Sequence, residues 1–335
     1  MRTIIFDASY VLMDSIAFNK ERDVKNSNGD IIGGSLFTLV ALRNTLKRYP
    51  EYDRLIVVWD GGISERKRAI LPTYRDLNVY WKESLAMHPD SPATDKREQF
   101  LKQKEILKNV FDEAGILQFD IPELEKEDII PYLLHRDDGN EYVFVTDDHS
   151  FNVLLYKNIL WYKPFENVEA HQRALMLNRL VENWDEYCYA QSVANKNLDM
   201  VKGCCKLVGD KYAIPMLKAA NIVGFDEFEK MDKEEIKQLC EENDIPYRAM
   251  YANFNANQAR VLEKVYGYYF YPGYFINDDE KAYIDDTVNN WEYVNTGDLM
   301  GVLKSVVDNS IVDSDLFEYK EINYRYSSDV KDMFE

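Results

Sequence analysis

Four cysteines and four histidines among 335 residues leave little room for thiol or zinc chemistry. Cys188, Cys204, Cys205 and Cys240 show no C-x-x-C pairing, and none stands at zinc spacing from a histidine, so neither disulfides nor structural zinc is expected. Long apolar runs are missing as well. The N-terminal "MRTIIFDASYVLMDS" meets an acid after three apolar residues, and no later stretch is apolar far enough to cross a bilayer, which points to a cytoplasmic protein with no membrane partner. Excess positive charge is absent too: the formal net charge is −19, against the basic footprint usual for a protein that simply wraps nucleic acid.

What is present is a core and an uneven charge pattern. Hydrophobic residues make up 46% of the chain, enough for one large or two modest folded units. Residues 61–108 carry ten Lys/Arg against seven Asp/Glu, and residues 194–224 carry five against two, so each stretch is net +3. Residues 225–335 hold −14. Two basic islands therefore sit in an acidic chain; solvated helix faces would account for them as readily as a ligand would.

Short β-branched or aromatic runs occur at "TIIF" (3–6), "RLIVVW" (54–59), "GILQF" (115–119), "YVFVT" (142–146) and "NILWY" (158–162). Helix-period segments lie between them, at 35–49, 96–114 and 123–136, with a short one after Asp148. The alternation predicts an α/β fold with a mainly parallel sheet flanked by helices. Past about residue 168 the strand signals stop. "VEAHQRALMLNRLVENW", "NLDMVKGCCKLVG", "DKYAIPMLKAANIVG" and "MDKEEIKQLCEEN" read as helices or helical hairpins. The aromatic, Asn- and Asp-rich tail from Tyr266 has enough rings to pack rather than stay disordered.

Acids collect where such a sheet places its functional crevice, beyond the carboxyl ends of the strands. "TIIF" leads into Asp7, "LIVVW" into Asp60 and "YVFVT" into Asp147 and Asp148. The third strand runs through "DIP" into a helix start holding Glu123, Glu125, Glu127 and Asp128. Singly, each acid has a plain role as a helix cap, turn former or dipole partner. Together they would crowd like charges into one crevice, which divalent cations would neutralise. An all-oxygen set favours Mg²⁺ or Mn²⁺ over zinc, and two such ions about 4 Å apart are a standard device for in-line displacement at a phosphodiester. Glu125 and Asp128, three residues apart, share one helix face while Ile129, Ile130, Leu133 and Leu134 can pack on the sheet.

These motifs resemble the phage and bacterial 5' to 3' exonucleases and flap endonucleases, including phage enzymes called RNase H, with a PIN-like nuclease domain. "IIFDASYVL" is similar to the family's first strand and Asp. "VVWDGGISERKRAILPTYRDLN" is similar to its second Asp, an Arg/Lys segment and a Pro-x-Tyr-Lys step. "IPELEKEDIIPYLL" resembles its Glu-Ala-Asp-Asp helix, "VFVTDDHSFNVL" its Ser-Gly-Asp-x-Asp strand end, and "CKLVGDKYAIP" the Gly-Asp entry to a helix-three-turn-helix DNA-binding element. The likeness runs from residue 1 to about 225. It implies a PIN-like nuclease domain over 1–190 with an arch segment at about 61–110. A helical region would follow over 191–335, with a degenerate helix-three-turn-helix at 194–224 and an acidic C-terminal part.

By the same resemblance, Asp7, Asp60, Glu125, Glu127, Asp128 and Asp148 match metal-site acids, and Asp210 matches the acid given by the helical element. Arg75 stands at a phosphate-contacting Lys; with Arg66 and Lys67 it would steady the phosphate. Lys82 extends the arch island, while Lys202, Lys206 and Lys211 surround the Gly209 turn, where backbone N–H groups and lysines would grip a duplex. Departures concentrate on the second ion. Ser150 stands at the second Asp of Asp-x-Asp, "GDKYAIP" lacks its second Asp, and Asp147 is the nearest acid that could stand in. Glu127 replaces an Asp, Asn78 an Arg, and the glycine-rich repeat after Pro215 is absent.

The reading that follows is a metal-dependent 5' nuclease acting on DNA or RNA-DNA hybrid with a 5' end or flap, as in primer removal during phage replication in a host cytoplasm. Two Mg²⁺ or Mn²⁺ ions are implied, with the second site weakened. The alternatives are a nuclease-fold protein that binds nucleic acid or a partner without strong catalysis, and a PIN-type ribonuclease, which leaves "LVGD" unexplained. The acidic 225–335 segment reads either as a solvated helical subdomain or as a docking surface for a basic replication protein.

Overall fold

The computed structural model describes residues 2–18, 25, 29–75, 92–136, 139–155, 159–171, 181–194 and 201–291, apart from the side chains of 17, 18, 92–96, 210 and 211. Lys82 lies outside the described residues, as do the side chains of Asp210 and Lys211.

The alternating runs form a six-stranded sheet. β1 (Arg2–Asp7) is followed by α1 (Ala8–Phe18) and α2 (Gly33–Arg48), then β2 (Arg54–Val58), α3 (Glu65–Ile70) and the long α4 (Pro92–Glu113). Next come β3 (Leu117–Phe119), α5 (Lys126–Leu134), β4 (Glu141–Val145), a 3₁₀ turn over His149–Leu154, β5 (Ile159–Lys163) and β6 (Val168–Ala170). The order is β3-β2-β1-β4-β5-β6, parallel from β3 through β5, with β6 antiparallel at the edge. The fold class expected from the sequence is the one found.

Each central strand is buried on both faces, as a helix-covered parallel sheet requires. Ile4, Phe6, Leu55, Val57 and Trp59 face one core with Leu107, Val110 and Phe111 of α4. Ile5, Ile56, Val58 and Phe144 face the other with Ile129, Ile130 and Leu133 of α5. Chain direction through the sheet reverses beside β1: β2 pairs on one side and β4 on the other. The carboxyl ends of β1 and β4 thus flank the switch point, the expected ligand crevice of such a sheet.

The second part contributes α6 (Trp184–Val193), α7 (Asp210–Val223), α8 (Phe225–Lys230), α9 (Lys233–Glu242), α10 (Ala256–Tyr266) and α11 (Asp278–Asn290). α6 to α10 enclose a third core, into which Leu71 and Tyr74 from the end of α3 also pack. α11 instead returns to the sheet: Ile284 and Val288 join the α5 side, and Asp285 accepts from Tyr132 and Arg136.

Two expected helices are corrected. "VEAHQRALMLNRLVENW" begins as strand, because Val168, Glu169 and Ala170 pair with Lys163, Tyr162 and Trp161; residues 172–180 of that segment lie outside the described ones. "NLDMVKGCCKLVG" is not helical over residues 201–209. There Cys205 bridges Phe254 in an antiparallel contact, Leu207 takes φ +66°, and Gly203 and Gly209 interrupt any helical run. No helix among the described residues is long and apolar enough to cross a membrane.

Candidate active site

Three strand ends and one helix start meet at the switch point. Asp7, the last residue of β1, is fully buried; it accepts from the Tyr10 N–H at 3.0 Å and the Thr146 hydroxyl at 2.9 Å. Asp148 caps the 3₁₀ turn, taking the Ser150 N–H at 2.9 Å. Asp60 follows β2 and is fixed at its backbone by the Ser9 hydroxyl, 2.7 Å away. The next residue must be glycine: a Cβ on Gly61 would lie 1.8 Å from the Ile121 carbonyl oxygen. That close approach lets the Gly61 N–H reach the Leu124 carbonyl at 2.9 Å and brings Asp60 beside the start of α5.

α5 opens with Glu125 as its N-cap, and Asp128 accepts from the Glu125 N–H at 3.2 Å. The capping role that each acid could have on its own is therefore real, and it coexists with the cluster. Glu125, Glu127 and Asp128 are all buried. Burial of a carboxylate is tolerated only with paired charge, and three cations supply it.

Lys67 Nζ lies 2.6 Å from Glu125 Oε2 and 2.8 Å from Asp128 Oδ1, with the Tyr74 hydroxyl also donating to Glu125 at 2.6 Å. Arg75 reaches Asp60 at 3.3 Å, Glu125 at 3.4 Å and Glu127 at 3.1 Å; it holds φ +43°, in the left-handed region where non-glycine residues are uncommon. Lys126 Nζ sits 2.9 Å from Asp7 and 2.5 Å from Asp148.

Burial acts to raise the carboxyls of Asp7, Asp60, Glu125, Asp128 and Asp148, and neighbouring cations oppose it. Glu125 is desolvated, yet Lys67 and Arg75 overcome that and bring it down to about 2. Asp148 is likewise lowered, because Lys126 outweighs its burial. Asp60 is pushed up to about 6 by burial despite Arg75. Lys126 is held as an ammonium well above the usual lysine range: burial opposes this, and Asp7 and Asp148 prevail.

Other sequence-derived positions land elsewhere. Arg66 is turned to α11: its guanidinium forks onto Glu280 at 2.7 and 2.8 Å and also meets the Phe275 carbonyl. Lys67 is equally withdrawn, its side chain 2% exposed and spent on Glu125 and Asp128. For Asp147, one oxygen takes the Phe165 N–H at 3.1 Å and the other is buried without a hydrogen-bond partner; burial lifts its carboxyl to about 7, with Glu166 and Asp14 adding to the rise. Lys202, Lys206 and Gly209, the N-cap of α7, are exposed.

Two residues escaped the sequence reading. Asp14, two turns along α1 from Asp7, has its carboxyl raised to about 6, first by burial and then by Asp148; nothing in its local sequence marks it. Lys126 was visible. It occupies the Ala position of the Glu-Ala-Asp-Asp pattern, and a lysine added among acids is as informative as an acid lost.

The residues fit divalent metal unevenly. Around Asp60, Glu125 and Glu127, three carboxylates converge on one guanidinium, and Glu127 Oε2 is buried without a hydrogen-bond partner. That half carries the oxygen donors a hard cation takes, with the Arg75 guanidinium now lying between them. Around Asp7 and Asp148 the space between the carboxylates holds the Lys126 ammonium, and that half does not fit. Among the described residues, no three Asp, Glu, His or Cys side chains close on a common metal position.

No protein-family model and no curated protein matches the sequence. Solved structures do. The bacteriophage T5 D15 flap endonuclease, in a lysine-for-aspartate form described as a pseudo-enzyme–product complex with DNA and metal ions, superposes with TM-score 0.58 at 16% identity, covering 91% of this chain and 100% of its own. T5 D15 protein co-crystallised with metal ions gives 0.57 at 14% identity over 90% and 100%. T5 5'-exonuclease with bound zinc gives 0.57 at 17% over 90% and 100%. At these identities the likeness establishes the fold, and the resemblance read from the five motifs extends to the architecture.

Proposed function

We propose that the chain is a divalent-metal-dependent nuclease that cleaves a phosphodiester near a 5' end or flap of DNA or RNA-DNA hybrid, as in primer removal during phage replication. The observation that carries this reading is the convergence of Asp60, Glu125 and Glu127 on Arg75 at the switch point. These three carboxylates would hold a Mg²⁺ or Mn²⁺ ion. Such an ion, when bound, supplies Lewis-acid chemistry: it acidifies water and stabilises charge on phosphoryl oxygens.

The protein's own groups do the remainder. Lys67 and Tyr74 keep Glu125 ionised and fixed. The Arg75 guanidinium, at the edge of these carboxylates, would turn its fork on the scissile phosphate, a geometry arginine serves better than lysine. Lys202, Lys206 and the amino end of α7 would grip duplex phosphates, with Asp210 and Lys211 at the same helix start. The acidic C-terminal part would dock a basic replication protein, and the setting would be a host cytoplasm.

Labelled 5'-flap duplex, nicked RNA-DNA hybrid and single-stranded RNA, each with Mg²⁺, Mn²⁺ or EDTA, test the proposal. Metal-dependent product from the flap or hybrid is expected. Asp60→Asn should lower it more than about a hundredfold, since even outer-shell partners of a metal site cost 10–100-fold. A folded Asp60→Asn protein that cuts as wild type would refute the assignment. One observation favours a second reading, a nuclease-fold protein that binds nucleic acid without cutting: a lysine stands among the acids. Binding of the flap duplex with no product under any metal would select it.

A further inference from the structure

We infer that Lys126 is a built-in cation that takes the place of one of the two divalent ions implied by the acid cluster, so that the chain holds one metal ion, on the Asp60 side. The inference rests on the proposed metal site and is tested by counting ions.

The geometry is that of a ligand cage around an ammonium. Lys126 is the first residue of α5, immediately after the N-cap, so its side chain starts at the crevice floor. Its Nζ lies 2.9 Å from Asp7 Oδ2, 2.5 Å from Asp148 Oδ2 and 3.8 Å from Glu127 Oε1. The rings of Tyr10 and Phe151 stand 4.9 and 5.0 Å from it, at cation–π range. The side chain is 5% exposed. A divalent ion bound by Asp7 and Asp148 would need oxygens at roughly 2.0–2.6 Å, in the space that the ammonium fills, and would face its charge at contact distance.

A second change in the same place points the same way. Where the resemblance expects the second acid of Asp-x-Asp, the chain has Ser150. That segment is fixed by its backbone: the Ser150 N–H donates to Asp148 and its carbonyl accepts from Tyr268. One negative charge is gone and one positive charge has been added, so this half of the crevice calls for less added positive charge than a two-ion arrangement does. In the other half Asp60, Glu125 and Glu127 meet at the Arg75 guanidinium, and Glu127 Oε2, like Ser150 Oγ on the Lys126 side, is buried without a hydrogen-bond partner.

A tethered ammonium offsets part of the charge of Asp7 and Asp148 and can donate to an oxygen placed against them. It cannot offer an open coordination position or acidify water as a divalent ion does. Any cleavage should therefore depend on metal concentration with a single binding step.

Calorimetric titration with Mn²⁺, together with the loss of free Mn²⁺ electron paramagnetic resonance signal, counts ions on the full chain. Wild type should bind one ion, Lys126→Arg also one, and Lys126→Ala combined with Ser150→Asp two. Adding Asp148→Asn to that double variant should remove the gained ion. Two ions on wild type would overturn the inference whether or not any variant folds. So would a double variant that keeps the wild-type far-UV dichroism and binds no more than wild type. Lys126→Ala alone serves if the double variant does not fold, with gain of an ion or none deciding in the same way. A wild type that binds no ion and a double variant that binds one would refute the metal-dependent nuclease reading and keep the assignment of Lys126.

Discussion

In the first basic island several cations turn to nearby acids. Lys67 is buried between Glu125 and Asp128, Arg66 forks onto Glu280, Lys104 and Lys108 both pair with Asp120 at 2.8 Å, and Arg75, 18% exposed, lies against Asp60, while Arg97 and Lys102 stay exposed. In the second, Lys218 pairs with Glu182 and Glu186, whereas Lys202 and Lys206 stand exposed and form no ion pair among the described residues. The two islands carry the same net charge in sequence. Lys67 and Arg75 have become counterions of an acid cluster, and Lys202 and Lys206 stand on a surface able to meet phosphate. Net charge along a chain therefore does not say which partner the charge serves; burial of the nearest acids does.

The largest effect that would sharpen this contrast is at Lys67. Removing one partner of a buried, hydrogen-bonded pair leaves uncompensated charge and costs about 3–5 kcal/mol, so Lys67→Met should lower denaturant stability by that amount. Lys206→Ala should stay within about 0.5 kcal/mol, as exposed substitutions do. A Lys67→Met protein as stable as wild type would mean that the inward island is not structural.

Arg75 stands at the boundary between the two behaviours. Arg75→Ala should lower the cleavage rate by about 10²–10³, the usual loss for one charge-stabilising donor in an active site. It should also lower thermal stability without metal, and Mg²⁺ should restore that stability because an ion replaces the lost cation. Lys67→Met should gain no comparable rescue. Failure of Mg²⁺ to separate the two variants would place Arg75 with the structural cations.

For the outward island the expected change is in salt dependence. Removing one lysine that neutralises a phosphate should reduce the slope of log affinity against log salt by about 0.9 on duplex DNA. Lys202→Ala and Lys206→Ala should therefore weaken flap-duplex binding most at low salt, measured by fluorescence anisotropy across a salt series. An unchanged slope would remove these residues from the interface.

The sequence shows the sheet clearly because its signals are local: five apolar runs, each the length of a strand, separated by helix-period segments. β6 stayed hidden since three residues with no periodicity gain strand geometry only by pairing with β5. The acids were legible for the same local reason, each following its strand. The cations were not. Arg66 pairs 214 residues away and Lys126 pairs 119 residues away with Asp7, distances over which a linear pattern carries no information about direction. Lys126 could still have been found by reading the motif for what it adds.

The smallest expected effect concerns the tie between α3 and α11. Glu280 is held below its ordinary value of 4.5, first by its hydrogen bonds to Arg66. A carboxylate with a depressed folded-state value contributes stability that is fully present above the unfolded value and is lost as pH falls through the folded one. The coupling between Arg66 and Glu280 should therefore be constant above pH 4.5 and fade below it, with a size of about 0.2–1 kcal/mol as for other exposed pairs. A double-mutant cycle with Arg66→Ala and Glu280→Gln, run by urea unfolding from neutral pH down toward about pH 3.5, reads this directly. Acid unfolding elsewhere in the chain is common to all four proteins and cancels in the cycle. Coupling near zero already at neutral pH would mean that the guanidinium is anchored by the Phe275 carbonyl rather than by the carboxylate, and α11 would then be held to the sheet by its apolar contacts, Asp285 and Asn289.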